Sequence, residues 1–282
     1  MDLQGKTIII TGASRGIGAK VARGCAAQGA SLILLARNEI DLQEILKTLQ
    51  TQDQGHHHIL GLDVSDEGAV KSFYKDLKKR GIHIDGLVNC AGILGPIGLL
   101  EEVSFSEYKH TFDVNFFGTV SMCIGALPFL KETQGHIVNF SGGGATNAFP
   151  RYTAYATSKI AIVRFSENIA YEYENAGISV NAVSPGFIAT DIHHETLRAG
   201  ERAGIEYLES TREQLSSGGS SIQKAVNLVV FLLSDESKGI TGKLISAQWD
   251  PWEQEEWCEQ LKTKKNLATL RRIDEKYFSE KI

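Results

Sequence analysis

Two residues four positions apart have the chemistry needed for proton transfer. The segment YATSK begins with Tyr155 and ends with Lys159, and it lies at the start of a long predicted helix. This spacing places both side chains on the same face of a helix. A free tyrosine has a pKa of about 10, which is too high for efficient proton exchange at neutral pH. Because a neighbouring ammonium stabilises the phenolate, we expect Lys159 to lower the pKa of Tyr155 and let it exchange a proton with a bound molecule.

A glycine-rich turn near the N-terminus has the pattern of a phosphate-binding loop. The segment Thr11–Gly18 reads TGASRGIG and lies between the first predicted strand and the first predicted helix. Glycines permit a tight turn and let the backbone approach a pyrophosphate, which the N-terminus of the following helix stabilises. We expect the binding residues here to be Gly12, Ser14, Arg15, Gly16, Ile17 and Gly18.

The end of the second predicted strand distinguishes between two nicotinamide dinucleotides. An acidic residue about twenty positions after the glycine loop would bind the ribose 2′-hydroxyl of NAD. Here the strand end reads Leu35-Ala36-Arg37-Asn38, with no acid before Glu39. Arg37 and Arg15 could together form charge-assisted hydrogen bonds with a 2′-phosphate. The sequence therefore predicts NADP(H), with NAD(H) as the alternative.

The elements that must position these residues alternate along the chain. Strand-like runs, several of them apolar on both faces, alternate with longer helical stretches. This pattern predicts an α/β fold with a doubly wound, Rossmann-type parallel sheet of about seven strands and helices on both faces. The predicted strands are Thr7–Thr11, Ser31–Leu35, His58–Leu62, Gly86–Asn89, His136–Phe140, Ser179–Val183 and Lys243–Ala247. The predicted helices are Ile17–Gln28, Glu39–Gln52, Glu67–Arg80, Ser106–Leu130, Tyr155–Asn175 and Ile222–Leu233.

The composition excludes several classes of protein. Of 282 residues, 42% are hydrophobic and 22% charged, unlike a disordered or fibrous chain. The net charge of −5 predicts no binding to nucleic acid or anionic lipid. The longest apolar runs, such as Leu228–Leu233, are far shorter than a membrane span, and no cluster has the spacing of a metal site. Four scattered cysteines favour reduced thiols and a cytoplasmic location.

Five motifs in a fixed order resemble those of the classical short-chain dehydrogenase/reductase family. They are the glycine loop, NCAG at Asn89–Gly92, DVN at Asp113–Asn115, the segment Tyr155–Lys159, and Pro185-Gly186. The resemblance covers roughly residues 5–248. It implies an NAD(P)(H)-dependent oxidoreductase that interconverts a carbonyl and a secondary alcohol by hydride transfer.

The resemblance also implies roles for single residues. Tyr155 would be the general acid/base, Lys159 would lower its pKa and hold the nicotinamide ribose, and Asn115 would keep a water in the proton relay. Other positions would contact the cofactor: Asp63 and Val64 on the adenine side, Asn89, Ala91 and Gly92 along it, and Pro185, Gly186, Ile188 and Thr190 at the nicotinamide end.

One position departs from the family pattern. The family places a substrate-orienting serine thirteen residues before the tyrosine, where this chain has Gly142. Ser141 stands one residue earlier, and one step along a strand turns a side chain to the opposite face. The three glycines of Gly142–Gly144 could let Ser141 turn inward, or Thr146 or a backbone N–H could serve instead. We take Ser141 as the substitute.

The sequence predicts a single domain over residues 1–249, including a substrate-loop region at about 186–220, and a C-terminal extension over 250–282. The extension could cover the substrate pocket or wrap a neighbouring subunit. The resemblance to the family implies a small carbonyl or alcohol substrate and further copies of the chain as partners, in a homodimer or homotetramer. Phe149, Ile192, Leu197 and Tyr207 could form an apolar wall for that substrate.

Two other functions stay open. The chain could be a catalytically impaired NADP-binding sensor or scaffold, which the glycine at position 142 favours. It could also be a nucleotide-sugar-modifying enzyme, although larger members of that group usually carry a differently spaced glycine loop.

Overall fold

Seven parallel strands form a single sheet in the order β3-β2-β1-β4-β5-β6-β7. The computed structural model describes residues 1–50 and 56–272. The strands are β1 Thr7–Thr11, β2 Ser31–Ala36, β3 His57–Gly61, β4 Gly86–Asn89, β5 His136–Phe140, β6 Ser179–Ser184 and β7 Leu244–Ser246. The predicted doubly wound parallel sheet is thereby confirmed.

Helices cover both faces of the sheet, because successive strand residues point in opposite directions. Ile8 and Ile10 pack with helices α1, α2, α9 and α10, whereas Ile9 packs with α3, α5 and α6. The α-helices are α1 Gly16–Ala26, α2 Glu39–Gln50, α3 Glu67–Lys79, α4 Phe105–Phe112, α5 Gly118–Thr133, α6 Thr153–Glu172, α7 Asp191–Ala199, α8 Ile205–Ser216, α9 Ile222–Leu233 and α10 Glu255–Thr263. The predicted end of α2, Thr51 and Gln52, lies outside the described residues.

The predicted helix Ser106–Leu130 is interrupted. Residues Asp113–Phe117 form a π turn between α4 and α5, and this turn carries Asn115. Such turns occur often at functional sites. The whole run Phe105–Thr133 has the length and composition to cross a membrane, and half of its apolar window is buried inside the fold.

The C-terminal segment packs against its own chain. Trp252, Cys258 and Leu261 belong to the core cluster formed with α1 and α9. Trp252 is buried and its Nε1 donates to the Ala247 carbonyl at 3.2 Å. The chain then continues past α10 to the edge of the sheet at β7, where Leu244 N donates to Ala268 O at 2.8 Å.

Candidate active site

A cleft opens between β1 and β4, where the strand order reverses. In sheets of this kind, ligands bind at this point beyond the carboxyl ends of the strands. The cleft has a volume of about 380 Å³, within the range of small-molecule sites. Of the residues predicted to bind the cofactor, twelve line it: Gly12, Ser14, Arg15, Gly16, Ile17, Gly18, Arg37, Asp63, Val64, Ala91, Gly92 and Thr190.

The glycine loop forms one wall of this cleft. Gly12 has a φ of +65°, and a Cβ there would lie 2.8 Å from Ala91 N. A Cβ at Gly18 would overlap the carbonyl oxygen of Gly12. Helix α1 begins in this loop with no side-chain cap, so its first N–H groups stay available to phosphate oxygens. Both the space and the donors therefore fit a dinucleotide.

Charges in the cleft are mixed. Arg15 pairs with Asp191 across the cleft at 3.7 Å, with both side chains exposed. Burial raises the pKa of Asp63, but hydrogen bonds from Ser65 and the charge of Arg37 outweigh it, so the net shift is downward. Asp63 is therefore an ionised acceptor near Arg37. Asp41 and Glu195 also line the cleft.

A second pocket of about 330 Å³ adjoins the cleft and shares Ile17, Cys90, Gly92, Thr190 and Ile192 with it. This pocket brings together nine of the predicted site residues: Ile17, Gly92, Ser141, Tyr155, Lys159, Pro185, Gly186, Ile188 and Thr190. A ligand in the cleft can therefore meet a second molecule beside Tyr155.

Lys159 is buried, with 4% of its surface exposed, and its Nζ donates to Phe140 O at 2.9 Å. Burial lowers its pKa to about 8. Its Nζ lies 5.6 Å from the centre of the Tyr155 ring. The expected lowering of the Tyr155 pKa is wrong for this structure: burial, with smaller effects from Tyr207 and Cys90, raises it above the usual range.

Asn115 and Asn89 do not line either cavity. The Asn115 side chain accepts from Ile93 N at 2.8 Å, and donates to Ile93 O at 2.9 Å and Ser158 Oγ at 3.0 Å. Asn89 donates to Asn139 Oδ1 at 2.9 Å inside the sheet. Both side chains hold neighbouring elements together, and the contact of Asn89 with a cofactor stays a prediction.

The loop after β5 explains the departure at position 142. A Cβ on Gly142 would overlap the hydroxyl oxygen of Tyr155 and lie 3.2 Å from its Cζ, so only glycine fits without a shift. Ser141 lines the same pocket with 3% of its surface exposed, and its Oγ has no hydrogen-bond partner. A buried hydroxyl without a partner costs free energy unless a ligand satisfies it.

The pocket wall beyond Tyr155 is largely aromatic. Phe149 stacks on Tyr152, with ring centres 4.3 Å apart, and meets Tyr207 edge-on at 4.9 Å. Phe187 stacks on His193 at 3.7 Å. Phe149, Ile192 and Tyr207 line the pocket as predicted, whereas Leu197 does not.

Phe187, His193 and Gln214 line the pocket and lie in the predicted substrate-loop region 186–220, whereas sequence reasoning did not place Cys90 or Trp249 at the pocket. Cys90 stands inside the NCAG motif, so that motif was a signal that it lies near the cavities. Trp249 is 76% exposed at the pocket and gave no comparable signal.

Comparisons with known proteins agree with this geometry. A profile described as short chain dehydrogenase matches residues 6–200. The chain is 32% identical to the 3-oxoacyl-[acyl-carrier-protein] reductase FabG of Escherichia coli, over 87% of this chain and 96% of that protein. It is 36% identical to 11-beta-hydroxysteroid dehydrogenase A of Sesamum indicum, over 71% of this chain but only 58% of that relative's length.

A solved structure from Beutenbergia cavernae is similar throughout. That protein, provisionally described as an NAD(P)-dependent gluconate 5-dehydrogenase, was solved with NADP bound at low occupancy. The TM-score is 0.78 at 25% identity, covering 88% of this chain and 96% of the other.

Proposed function

The chain belongs to the short-chain dehydrogenase family of oxidoreductases, and from this premise we propose that it prefers NADP(H) and interconverts a carbonyl group and a secondary alcohol. The observation that carries the proposal is the continuity of two cavities. The cleft has the donors for a dinucleotide, and the adjoining pocket contains Tyr155, Lys159 and the unpartnered hydroxyl of Ser141.

Different residues of the cleft would bind different parts of the cofactor. The glycine loop and the N-terminus of α1 would hold the pyrophosphate, and Arg37 would bind the 2′-phosphate. Asp63 and Val64 would meet the adenine side, and Lys159 the nicotinamide ribose. Bound there, a nicotinamide supplies a hydride to a carbonyl carbon or accepts one from an alcohol carbon.

Tyr155 would exchange the proton that balances hydride transfer. Because its pKa is raised, the phenol is protonated at neutral pH and can donate from Oη to a carbonyl oxygen as that oxygen gains negative charge. In the reverse direction the phenolate takes the alcohol proton. Lys159, with a pKa of about 8, is mostly an ammonium at pH 7, and its charge would favour the phenolate against the larger opposing effect of burial. Ser141 Oγ would donate a second hydrogen bond to the same substrate oxygen.

The pocket chemistry supports a substrate with an apolar, uncharged body. Apart from Lys159, no Asp, Glu, Lys or Arg of residues 1–50 and 56–272 lines it, and Phe149, Phe187 and Tyr207 supply aromatic surface. Two relatives are named as an 11-beta-hydroxysteroid dehydrogenase and a 3-oxoacyl-[acyl-carrier-protein] reductase. We infer that cyclic or long-chain ketones are better substrates than keto-sugars.

The proposal extends to assembly and location. Exposed Phe117 and Ile124 on the α5 side and Ile160 on α6 support a homodimer or homotetramer, which the molar mass in solution tests. The four cysteines are free thiols, which supports a reducing, cytoplasmic location that fractionation tests.

Tyr155→Phe removes the proposed proton donor while keeping the ring. We expect the consumption of NADPH with apolar ketones to fall by about 100-fold to 10,000-fold, the usual contribution of a general acid. The affinity for NADPH, measured by titration, should stay within about twofold because the hydroxyl lies in the adjoining pocket. Undiminished turnover would remove Tyr155 from the mechanism. Tight binding of NADPH by the natural chain, without consumption across ketones, aldehydes, acyl thioesters and keto-sugars, would instead support the sensor or scaffold function.

Ser141→Ala tests the second donor. If Ser141 Oγ binds the substrate oxygen, kcat should fall by about 100-fold or more, as for other donors to a developing oxyanion. Ser184, which lines the same pocket, provides the matched control, and Ser184→Ala should keep most of the activity. A larger loss in the Ser184 variant would contradict the assignment.

Gly142→Ala tests the close approach of the loop to Tyr155. The added Cβ would displace the Tyr155 hydroxyl, and a shift of about 1 Å can cost about 100-fold in rate. Gly143→Ala is the control, because its Cβ would meet only the Phe149 ring, at 3.6 Å. Steady-state kinetics of both variants checks this; equal rates would mean that the position of Tyr155 does not depend on residue 142.

Arg37→Asp tests the choice of cofactor. Losing charge-assisted hydrogen bonds to a 2′-phosphate should weaken NADPH binding by about 10-fold to 100-fold and leave NADH binding unchanged or stronger. Arg80→Asp makes the same change of charge at an exposed residue just after α3, outside the cleft. An unaltered ratio of NADPH to NADH affinity in the Arg37 variant would rule out the phosphate contact.

A further inference from the structure

The chain after α10 closes the open edge of the sheet. Within residues 1–50 and 56–272, β7 is the last strand, and Leu244 N donates to Ala268 O at 2.8 Å. The Lys243 ammonium donates to three carbonyls of this segment: Lys264 O at 2.7 Å, Leu267 O at 3.1 Å and Lys265 O at 3.2 Å. Lys243 is only 4% exposed, and such burial of a cation is tolerated because all three of its protons find acceptors.

A second set of contacts ties the same segment to α6, the helix that carries Tyr155. Glu167 has a side chain only 5% exposed and accepts hydrogen bonds from both Arg164 and Arg271. The two guanidinium groups also donate to Leu270 O, each at 2.8 Å. Arg271 Nε donates to Asn266 Oδ1 at 2.9 Å. Arg164 and Arg271 line a surface groove beside Gly144–Asn147. Because both guanidinium groups already bond within the chain, this groove is a poor candidate for an anion site.

These two sets of bonds fix the backbone on both sides of Leu270. Its side chain packs, with Leu244, against a small cluster of Ala145, Val163 and Ala182. Ala145 lies in the loop between β5 and α6, three residues after Gly142. Val163 lies on α6, two turns after Tyr155. Leu270 therefore joins the loop that carries Ser141 to the helix that carries Tyr155.

The loop needs such support because glycine dominates it. Three consecutive glycines, Gly142–Gly144, give the loop many accessible conformations when it is not held in place. Ordering the loop therefore costs more conformational entropy than ordering a loop without glycine. Gly144 has a φ of +82°, and a Cβ there would lie 2.6 Å from Ala156 Cβ, so the loop packs directly on α6. Ala145 is the first residue after the glycines with a side chain, and Leu270 packs against its cluster.

We propose that residues 264–272 form a strap and that Leu270 is a positioning residue for the active site. The strap holds the Gly142–Ala145 loop where Ser141 and Gly142 face Tyr155. Its effect on kinetics depends on the proposed oxidoreductase function, whereas its effect on the loop does not. No residue of the strap lines the cleft or the adjoining pocket.

Leu270→Ala and Leu267→Ala form a matched pair of variants. Both leucines are half-buried in the strap, but Leu267 packs against the core cluster on the other side of the sheet and not against Ala145. Neither change removes a backbone hydrogen bond. Hydrogen–deuterium exchange of peptides covering residues 141–147, in the full-length protein, reports on the loop through amides such as Ser141 N and Ala145 N, which donate to Val183 O and Gly142 O.

We expect Leu270→Ala to speed exchange in this loop by about tenfold, and Leu267→Ala to leave it within about twofold. In the Leu270 variant, kcat with an apolar ketone should fall by about tenfold, while the affinity for NADPH stays within about twofold. Leu270→Met, which conserves volume, should restore most of the activity. A merely destabilising change would not separate turnover from cofactor binding in this way.

The outcomes are separable. If the natural chain consumes NADPH with none of the ketones tested, the proposed function fails, and loop exchange alone decides on the strap. If loop exchange in Leu270→Ala equals that of the natural chain, or if Leu267→Ala speeds it equally, the strap proposal is overturned. If circular dichroism shows that Leu270→Ala does not fold, Leu270→Val is compared with Leu267→Val by the same two readouts.

Discussion

A hydrogen bond from a buried ammonium to the end of a strand is the contact on which the active-site geometry depends. Lys159 on α6 donates to Phe140 O, the last carbonyl of β5, at 2.9 Å. Because an ammonium without a partner could not stay buried, this bond fixes the distance between the helix and the sheet. Tyr155, one turn earlier on α6, is thereby directed into the pocket where β5 ends.

Polar side chains inside the fold extend this arrangement to neighbouring elements. Asn115 joins the segment after β4 to α6, through Ile93 and Ser158. Asn139 on β5 accepts from Asn89 on β4 and donates to Ser166 on α6 at 2.8 Å. The bond from Ile93 N is partly buried and the others are buried, where a lost partner is costly. Together they make β4, β5 and α6 one rigid support for a site whose own loop is rich in glycine.

The sequence was informative where local pattern decides structure. The bounds of β1, β4, β5 and α9 agree with prediction, because short apolar runs bounded by turns specify buried elements. The phosphate-binding cleft could be predicted from the glycines of the first loop, because a side chain at Gly12 or Gly18 would clash with the backbone. Three features could not be predicted, because each depends on contacts between distant parts of the chain. They are the π turn at Asp113–Phe117, the upward shift of the Tyr155 pKa and the path of residues 264–272. At Gly142 the sequence shows the departure from the family pattern, whereas only the structure shows that the Tyr155 hydroxyl occupies the space of a side chain there.

The π turn makes the site sensitive to the length of the chain as well as to residue identity. A π turn holds one residue more than the corresponding stretch of α-helix, so the residues before and after it are rotated relative to each other by about 100°. Removing one residue between Asp113 and Phe117 would leave an uninterrupted α-helix with all of its backbone bonds. That helix would be locally more regular, yet it would turn either Asn115 away from Ile93 or the buried face of α5 away from the sheet. The π turn therefore lets Asn115 reach Ile93 while the buried face of α5 still packs on the sheet.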